Sequence, residues 1–227
     1  MTGNVYLHTQ SFYERNASEY AKLWAKSDPR LRQFARKLLK YLPPDPRRTI
    51  PVLDTGTGTA RDVKMLRRRG YDAFGVDFSP ATIDLAVKNN PTLAGRLFVA
   101  DLKQLGIWLK GLSGSEKSAR FGGFRGIWDN ATFHHVPSAD ADLVIGQYVQ
   151  VLSPVGPGIC FLREKAGTEE GLIDTGECSG EKGRFFKLWQ EDELRALVEK
   201  HGFRVLESGL RADRRKINFV WLFARLG

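Results

Sequence analysis

Cysteine is almost missing from this chain of 227 residues: only Cys160 and Cys178 occur. Two thiols fit neither a disulfide framework nor a metal site, so no metal is expected, and Cys160 reads as inert packing in an apolar strand. Long apolar runs are missing too. No stretch approaches the 18 or so apolar residues of a membrane span, and Met1 to Gln10 has no apolar core of an export signal. A soluble, cytoplasmic protein in a reducing compartment, without a membrane partner, is expected. Acidic residues are outnumbered, 26 against 35 basic, for a net charge of +9. That favours anionic partners and solubility and says nothing about fold. No internal repeat or low-complexity segment is visible. What remains is ordinary globular composition, 42% hydrophobic and 27% charged, in a length that suits one domain with a sizeable core.

The chain is organised around Val52-Leu53-Asp54-Thr55-Gly56-Thr57-Gly58-Thr59-Ala60-Arg61-Asp62. Strand-tolerant residues lead into an acid, a glycine-rich turn and a helix-period run through Val63 and Leu66. Glycines at 56 and 58 let the backbone turn sharply and approach a ligand where a Cβ would intrude. Free N–H groups and the positive dipole end of the following helix face whatever sits in the turn. Alone, G-x-G is a weak signal, since many strand-to-helix turns use glycine for geometry.

Three more strand-like runs end in an acid: Ala73 to Asp77, Leu97 to Asp101, and Gly126 to Asp129-Asn130. Asp77 falls about 20 residues after the glycine turn, where such folds place a carboxylate on the ribose hydroxyls of a nucleotide. Parallel strands of an open α/β sheet put their carboxyl ends on one edge, so Asp54, Asp77, Asp101 and Asp129 are expected to line a single crevice.

Elsewhere, Tyr13, Ala17, Tyr20 and Trp24 recur at helical spacing, as a core-packed helix or a lid. Asp28-Pro29 reads as the start of a second helix with the stripe Leu31, Phe34, Leu38 and Leu42 and a basic outer face, stopped by Pro43, Pro44 and Pro46. Arg61 opens the first crossover helix, and Arg67-Arg68-Arg69-Gly70 closes it with helix-end chemistry. Ser79-Pro80 caps the next helix, with Ile83, Ala86, Val87 and Asn90 inward. Residues 106–126 are rich in glycine and charge and are read as a surface loop. A helix from Ser138 carries Leu143, Val144, Tyr148, Val151 and Leu152. The strand Ile159 to Arg163 is followed by a polar excursion to Lys182, a helix through Leu194 and Val198 that ends at Gly202, and an antiparallel pair of strands around 203–207 and 217–224. The fold class is therefore α/β: a seven-stranded, mostly parallel sheet with the last strand antiparallel and helices on both faces. Residues 1–227 form one domain, 1–48 a helical lid or cap and 49–227 the Rossmann-like core.

Together these residues resemble the class I S-adenosylmethionine-dependent methyltransferases. The resemblance rests on Leu53-Asp54-x-Gly56-x-Gly58-Thr59-x-Arg61-Asp62, Gly75-Val76-Asp77-Phe78-Ser79-Pro80, Val99-Ala100-Asp101-Leu102, Phe133-His134-His135-Val136-Pro137 and Leu152-x-Pro154-x-Gly156-x-Gly158. Phe185-Phe186, Glu191-x-Glu193-Leu194 and Gly202-Phe203 are similar to the tail of small bacterial-type members. Where the pattern commonly has glycine, this chain has Ala60. The resemblance implies S-adenosyl-L-methionine as cofactor. Gly56, Thr57, Gly58 and Thr59 would contact its methionine moiety, Asp54 its ammonium and Arg61 its carboxylate. Asp77, followed by Ser79, would accept the ribose hydroxyls, Phe78 would lie on the adenine, and Asp101 and the Leu102 backbone would read the ring edge. Asn130 would face the methionine end, and Tyr20 would close over it from the lid. His135 and His134, at the exit of the fourth strand, are the candidate bases, since imidazole titrates near neutrality.

What is missing narrows the chemistry further. The dinucleotide fingerprint G-x-G-x-x-G would need a third glycine where Arg61 stands, which argues against a nicotinamide dehydrogenase. The N/D-P-P-F/Y run of exocyclic-amine methylation is replaced by Asp129-Asn130-Ala131-Thr132, and no cysteine pair suits attack on a pyrimidine carbon. A small-molecule acceptor is the expectation. RNA remains an alternative from the basic faces at 30–48, 61–69 and 211–216, as does a non-catalytic cofactor-binding subunit. The aromatic set Tyr13, Tyr20, Trp24, Phe133, Phe185, Phe186 and Trp189 walls an apolar pocket or builds core.

Overall fold

A computed structural model describes residues 3–24, 31–43, 49–113, 122–154, 156–173, 184–213 and 215–227. The helix start at Asp28-Pro29, the stops at Pro44 and Pro46, Cys178, Lys182 and Arg214 lie outside the described residues, as does the side chain of Trp24.

The strands β1 (Pro51–Thr55), β2 (Asp72–Asp77), β3 (Leu97–Val99), β4 (Gly126–Asn130), β5 (Ile159–Lys165), β8 (Phe203–Ala212) and β9 (Asn218–Leu226) form one sheet. Its order is β3-β2-β1-β4-β5-β9-β8. The first five strands are parallel, and β9 runs antiparallel to both β5 and β8. The expected class and the antiparallel terminal pair are thus observed. Strands buried on both faces should carry apolar residues pointing alternately to each side, and these do. Leu53, Phe74, Ile127 and Leu162 join one core cluster. Their neighbours Val52, Ala73, Trp128 and Phe161 join the other.

The first cluster is closed by α5 (Leu105–Ser113), α6 (Ser138–Val151) and α7 (Glu191–Lys200). The second is closed by α2 (Leu31–Tyr41), α3 (Arg61–Arg67) and α4 (Pro80–Asn89). Ser79 caps α4, its hydroxyl accepting from Thr82 N at 3.2 Å. In α6 the inward face is Ala141, Val144, Ile145, Tyr148 and Val151, while Leu143 is 48% exposed.

Two stretches differ from their sequence reading. Residues 105–113 are the helix α5 and not loop. Leu105, Trp108, Leu109 and Leu112 do recur at helical spacing, but the glycines between them masked it. Gly106 lies close to α6, where its N donates to Gln147 Oε1 at 2.9 Å. The excursion after β5 contains β6 (Glu170–Ile173), which pairs antiparallel with β7 (Arg184–Lys187) in a second, two-stranded sheet. So Phe185 and Phe186 are strand residues outside the main sheet.

α1 (Gly3–Trp24) lies across the carboxyl edge of the main sheet, tied at several points. Tyr6 Oη donates to Asp140 Oδ2 at 2.7 Å, Phe185 N donates to Thr9 Oγ1 at 3.2 Å, and Gln10 Nε2 donates to the Phe78 carbonyl at 3.4 Å.

The β1–α3 turn carries backbone strain. Gly56 and Gly58 have φ of 61° and 52°, and Ala60 shares that left-handed region at φ 57°. An L-residue there costs roughly 1–2 kcal/mol, so Ala60 costs more than its small size suggests. Ala60→Gly should raise unfolding stability by about 1 kcal/mol, or roughly 2–4 °C in Tm for a domain of this size. Gly56→Ala should lower it by more, because the new Cβ would stand 2.2 Å from Thr132 Cγ2. Denaturant unfolding of both variants checks the opposite signs.

Candidate functional site

The cavity that these elements enclose has a volume of about 390 Å³ and lies under α1 at the carboxyl ends of β1 to β5. Of the sequence-predicted residues, Asp54, Gly56, Thr57, Gly58, Thr59, Arg61, Asp77, Phe78, Asp101, Leu102, Asn130, Tyr20 and His135 all line it. Ser79 and His134 do not. Ser79 is buried as a helix cap. His134 is buried behind the cavity, its Nδ1 2.8 Å from Glu164 Oε2. Burial holds the Glu164 carboxyl well above its ordinary range, and the nearby Asp129 charge adds to this. Burial, followed by the neighbouring His135, holds His134 well below its own. Both directions favour the uncharged forms of the two groups.

The expectation that Asp129 would join the crevice also needs correcting. Its carboxylate turns inward and accepts from Thr55 Oγ1 at 2.9 Å, Tyr148 Oη at 2.5 Å, Phe133 N at 3.1 Å and Thr132 N at 3.3 Å. Asp62 takes its place at the crevice. That residue accepts from Arg61 Nε at 2.7 Å, Arg61 Nη2 at 3.1 Å, Trp128 Nε1 at 3.1 Å and Asn130 Nδ2 at 2.8 Å. Burial would raise its carboxyl, but the fork of Arg61 and these donors outweigh that and hold it below the usual range. Asn130 in turn accepts from Arg163 Nη1 at 3.0 Å. The network Arg61–Asp62–Asn130–Arg163 forms one wall. Asp62 and Arg163 were not predicted, although Asp62 stood in the motif with no role attached.

At the turn itself, Thr57 Oγ1 donates to Asp54 Oδ2 at 2.7 Å. Gly75 on β2 leaves room for Thr57, since a Cβ at 75 would approach its hydroxyl to 2.5 Å. Asp77 accepts from Gly58 N and Ser79 N, each at 3.0 Å, which ties the end of β2 to the glycine turn. Burial pushes the Asp77 carboxyl up to about 6 against those two stabilising donors. Burial, then the charge of Asp62, pushes Asp54 well up. A polyhydroxylated, cationic ligand would supply the donors and the charge that these acids lack. Gly58 is the open side of the cradle: a Cβ there would meet only Tyr20 Cε1, at 3.9 Å, and Gly56 O, at 4.0 Å, so it would extend into the cavity.

The opposite wall comes from α1 and His135, held from behind by β7. Tyr13 Oη lies 2.9 Å from His135 Nε2, and Arg184 Nη1 donates to Tyr13 Oη at 3.1 Å. His135 Nδ1 lies 2.7 Å from the Phe185 carbonyl oxygen. Tyr13 and Tyr20 stack edge to face at 5.0 Å and Tyr13 does the same with Phe78 at 6.1 Å. Phe133 and Trp189, by contrast, stack on one another in the core. Of the aromatic set, then, the α1 tyrosines are cavity wall and the Phe133–Trp189 pair is packing. Cys160 is likewise buried in the core.

A family model described as a methyltransferase domain matches residues 27–208. The chain belongs to this family of S-adenosylmethionine-dependent enzymes. Among solved structures, the fold is similar to the 1,6-didemethyltoxoflavin-N1-methyltransferase of Burkholderia thailandensis with bound 1,6-didemethyltoxoflavin and S-adenosylhomocysteine. That match has a TM-score of 0.68 and 18% identity over 96% of this chain and 86% of that one. The magnesium protoporphyrin IX methyltransferase of Synechocystis PCC 6803 with bound S-adenosylmethionine matches at a TM-score of 0.65 and 15% identity, covering 96% of this chain and 95% of that one. A [4+2]-cyclase, SpnF, matches at 0.59 and 14%, covering 86% and 80%. Among the described residues no helix is long and apolar enough to cross a membrane, and no cluster suits a metal ion.

The pH dependence of stability follows from Asp77. Its folded-state pKa is raised above the unfolded value, so its contribution to stability is fully present below about pH 3.8 and lost as the pH rises through about 6. Asp77→Asn removes that titration. The stability of Asp77→Asn relative to the natural chain should therefore climb between about pH 4 and pH 6 and level off above. Urea unfolding across that range tests the sign, and a flat or falling difference would contradict it.

Proposed function

We propose that the protein transfers a methyl group from S-adenosylmethionine to a small-molecule nucleophile by in-line displacement, in the single domain 1–227, with α1 as the lid of its site. The observation that carries this is the cavity of about 390 Å³ in which the glycine turn, Asp77 and the α1 tyrosines meet. That volume falls within the range of small-molecule sites. A cytoplasmic location is in keeping with this chemistry.

The bound cofactor supplies a methyl carbon already activated by sulfonium. The protein's part is positioning, and orientation alone can supply roughly 7–11 kcal/mol. Asp77 accepts the ribose hydroxyls while Gly58 N holds its carboxylate in place. Phe78 presents a face to the adenine, and Asp101 with the Leu102 backbone reads its edge. Gly56 to Thr59 follow the methionine chain, Asp54 and Asn130 take its ammonium end, and Arg61 fixes Asp62 between them. His135 is the base that the cavity presents, while His134 positions the turn through Glu164.

RNA is the weaker reading. Several cations of the basic faces are paired within the chain: Lys37 and Lys40 share Glu207, Arg67 meets Asp72, Arg61 meets Asp62 and Arg215 meets Asp213. A non-catalytic role is disfavoured by the combination of cofactor cradle and ordered histidine. SpnF shows that the fold alone does not dictate a reaction.

Calorimetric titration with S-adenosylmethionine, S-adenosylhomocysteine and NAD is the test. Micromolar binding of both adenosyl compounds and none of NAD is expected. Asp77→Ala should weaken that binding about 10- to 150-fold, the worth of charge-assisted hydrogen bonds of about 1.5–3 kcal/mol. No adenosyl binding to the natural chain would overturn the reading.

A further inference from the structure

The proton positions between α1 and the β4–α6 turn are fixed by one backbone carbonyl. Phe185 O can only accept, so His135 Nδ1, 2.7 Å away, carries the ring proton. The neutral ring then offers Nε2 as an acceptor, and Tyr13 Oη, 2.9 Å away, donates to it. With its only proton committed, the Tyr13 oxygen receives from its other partners. Arg184 Nη1 is one, at 3.1 Å. A side-chain hydrogen bond joins Tyr13 to Tyr20 as well, and in it Tyr20 must donate. The imidazole is held between His134 and Phe186, with ring centroids at 4.5 and 4.7 Å, so its orientation is set by packing. Every hydrogen bond in the row points the same way, from Tyr20 through Tyr13 to His135. Both tyrosines line the cavity, and Tyr20 leans over Gly58 at the glycine turn.

We propose that Tyr20, Tyr13 and His135 form a directed proton wire, and that the acceptor is a nucleophile arriving with a proton, a phenolic hydroxyl or a ring N–H. This rests on the methyl-transfer reading above. As the acceptor oxygen or nitrogen bonds the methyl carbon, the carbon–sulfur bond breaks and its electron pair stays on sulfur. The acceptor proton passes to Tyr20, the Tyr20 proton to Tyr13, and the Tyr13 proton to His135 Nε2. The positive charge lost from sulfur reappears on the imidazolium, which later releases its proton to water. Burial and the charge of Arg184 hold His135 at about 3, so it is neutral at physiological pH and a weak base. Proton movement therefore accompanies bond formation and does not precede it.

The first test is nitrogen NMR of the chain labelled with 15N-histidine and saturated with S-adenosylhomocysteine. A protonated Nδ1 and a bare Nε2 are expected at His135, with Tyr13→Phe moving the Nε2 resonance. A proton on Nε2, or an Nε2 signal indifferent to Tyr13→Phe, would overturn the wire. The second test follows S-adenosylhomocysteine formation with simple phenols and azoles beside thiophenol, whose thiol ionises unaided. Tyr13→Phe should lower kcat on the phenols and azoles by about 100-fold or more, the usual worth of a positioned acid–base group, with KM little changed and a much smaller loss on thiophenol. Equal losses on both would assign Tyr13 to packing and overturn the proposal. A chain that binds S-adenosylhomocysteine but methylates no phenol or azole would overturn the acceptor class. A chain that does not bind it defeats the underlying reading instead.

Discussion

Much of the site depends on one carboxylate that never touches it. Asp129, next to last in β4, points inside the protein, where two backbone N–H groups of the following turn, the Thr55 hydroxyl and the Tyr148 hydroxyl converge on it. Its partners belong to β1, to the 132–135 turn and to α6, so one buried acid joins the strand before the glycine turn to the segment carrying His135. Such a group is costly to bury unless its hydrogen-bonding capacity is filled, which is why its partners are so closely specified. Thr132, held by Asp129 through its backbone, donates its own hydroxyl to the Thr55 carbonyl at 3.0 Å and packs against Gly56. The glycine there is required by a neighbour's bulk as much as by its own backbone angle.

The acids of the cavity fall into two electrostatic groups. Asp62 is matched by a guanidinium fork and two further donors, so it is a structural anion that holds Asn130 and Arg61 in place. Asp54 and Asp77 are buried with fewer partners, and their carboxyls are raised in consequence. Groups of that kind cost the folded protein stability while they await a ligand with hydroxyl or ammonium donors, and they recover it on binding. Strain is placed in the same region. Ala60 and Ala131 hold left-handed backbone at φ 57° and 65°, beside the glycine turn and beside Asn130, as expected where a site constrains the chain more tightly than local preference does.

Sequence reading recovered what depends on short-range pattern. The alternation of β1, β2, β4 and β5, the Ser79 cap, the glycine turn and the placing of Asp54, Asp77 and Asn130 at one edge are all written within a few residues of each position. It failed where the deciding partner is remote. Nothing near Asp129 says that Tyr148 and Thr55 will turn it inward while Asp62 faces the cavity. Nothing near His134 announces Glu164. Helix α5 was hidden by its glycines, of which Gly106 lies against Gln147 and Gln150 of α6, a contact visible only once the two helices are packed. The β6–β7 pair is short, and its strands lie on either side of a polar stretch, so local pattern alone could not join them.

The parallel core, legible in the sequence, accounts for the cradle that a nucleotide-like cofactor needs. Groups facing another part of the cavity come from α1, which is backed by β7; both lie outside that core and meet only through tertiary contacts: Thr9 with Phe185, Tyr13 with Arg184 and His135. A core that binds one cofactor can serve many acceptors if the acceptor's surroundings are built from such added layers. Here the added layers do more than cover the site. By placing the Phe185 carbonyl against Nδ1, β7 sets the tautomer of a histidine that belongs to the core, and α1 supplies the hydroxyl that this tautomer can accept from. Neither element alone fixes both hydrogen bonds of the His135 ring; the contact between α1 and β7 does.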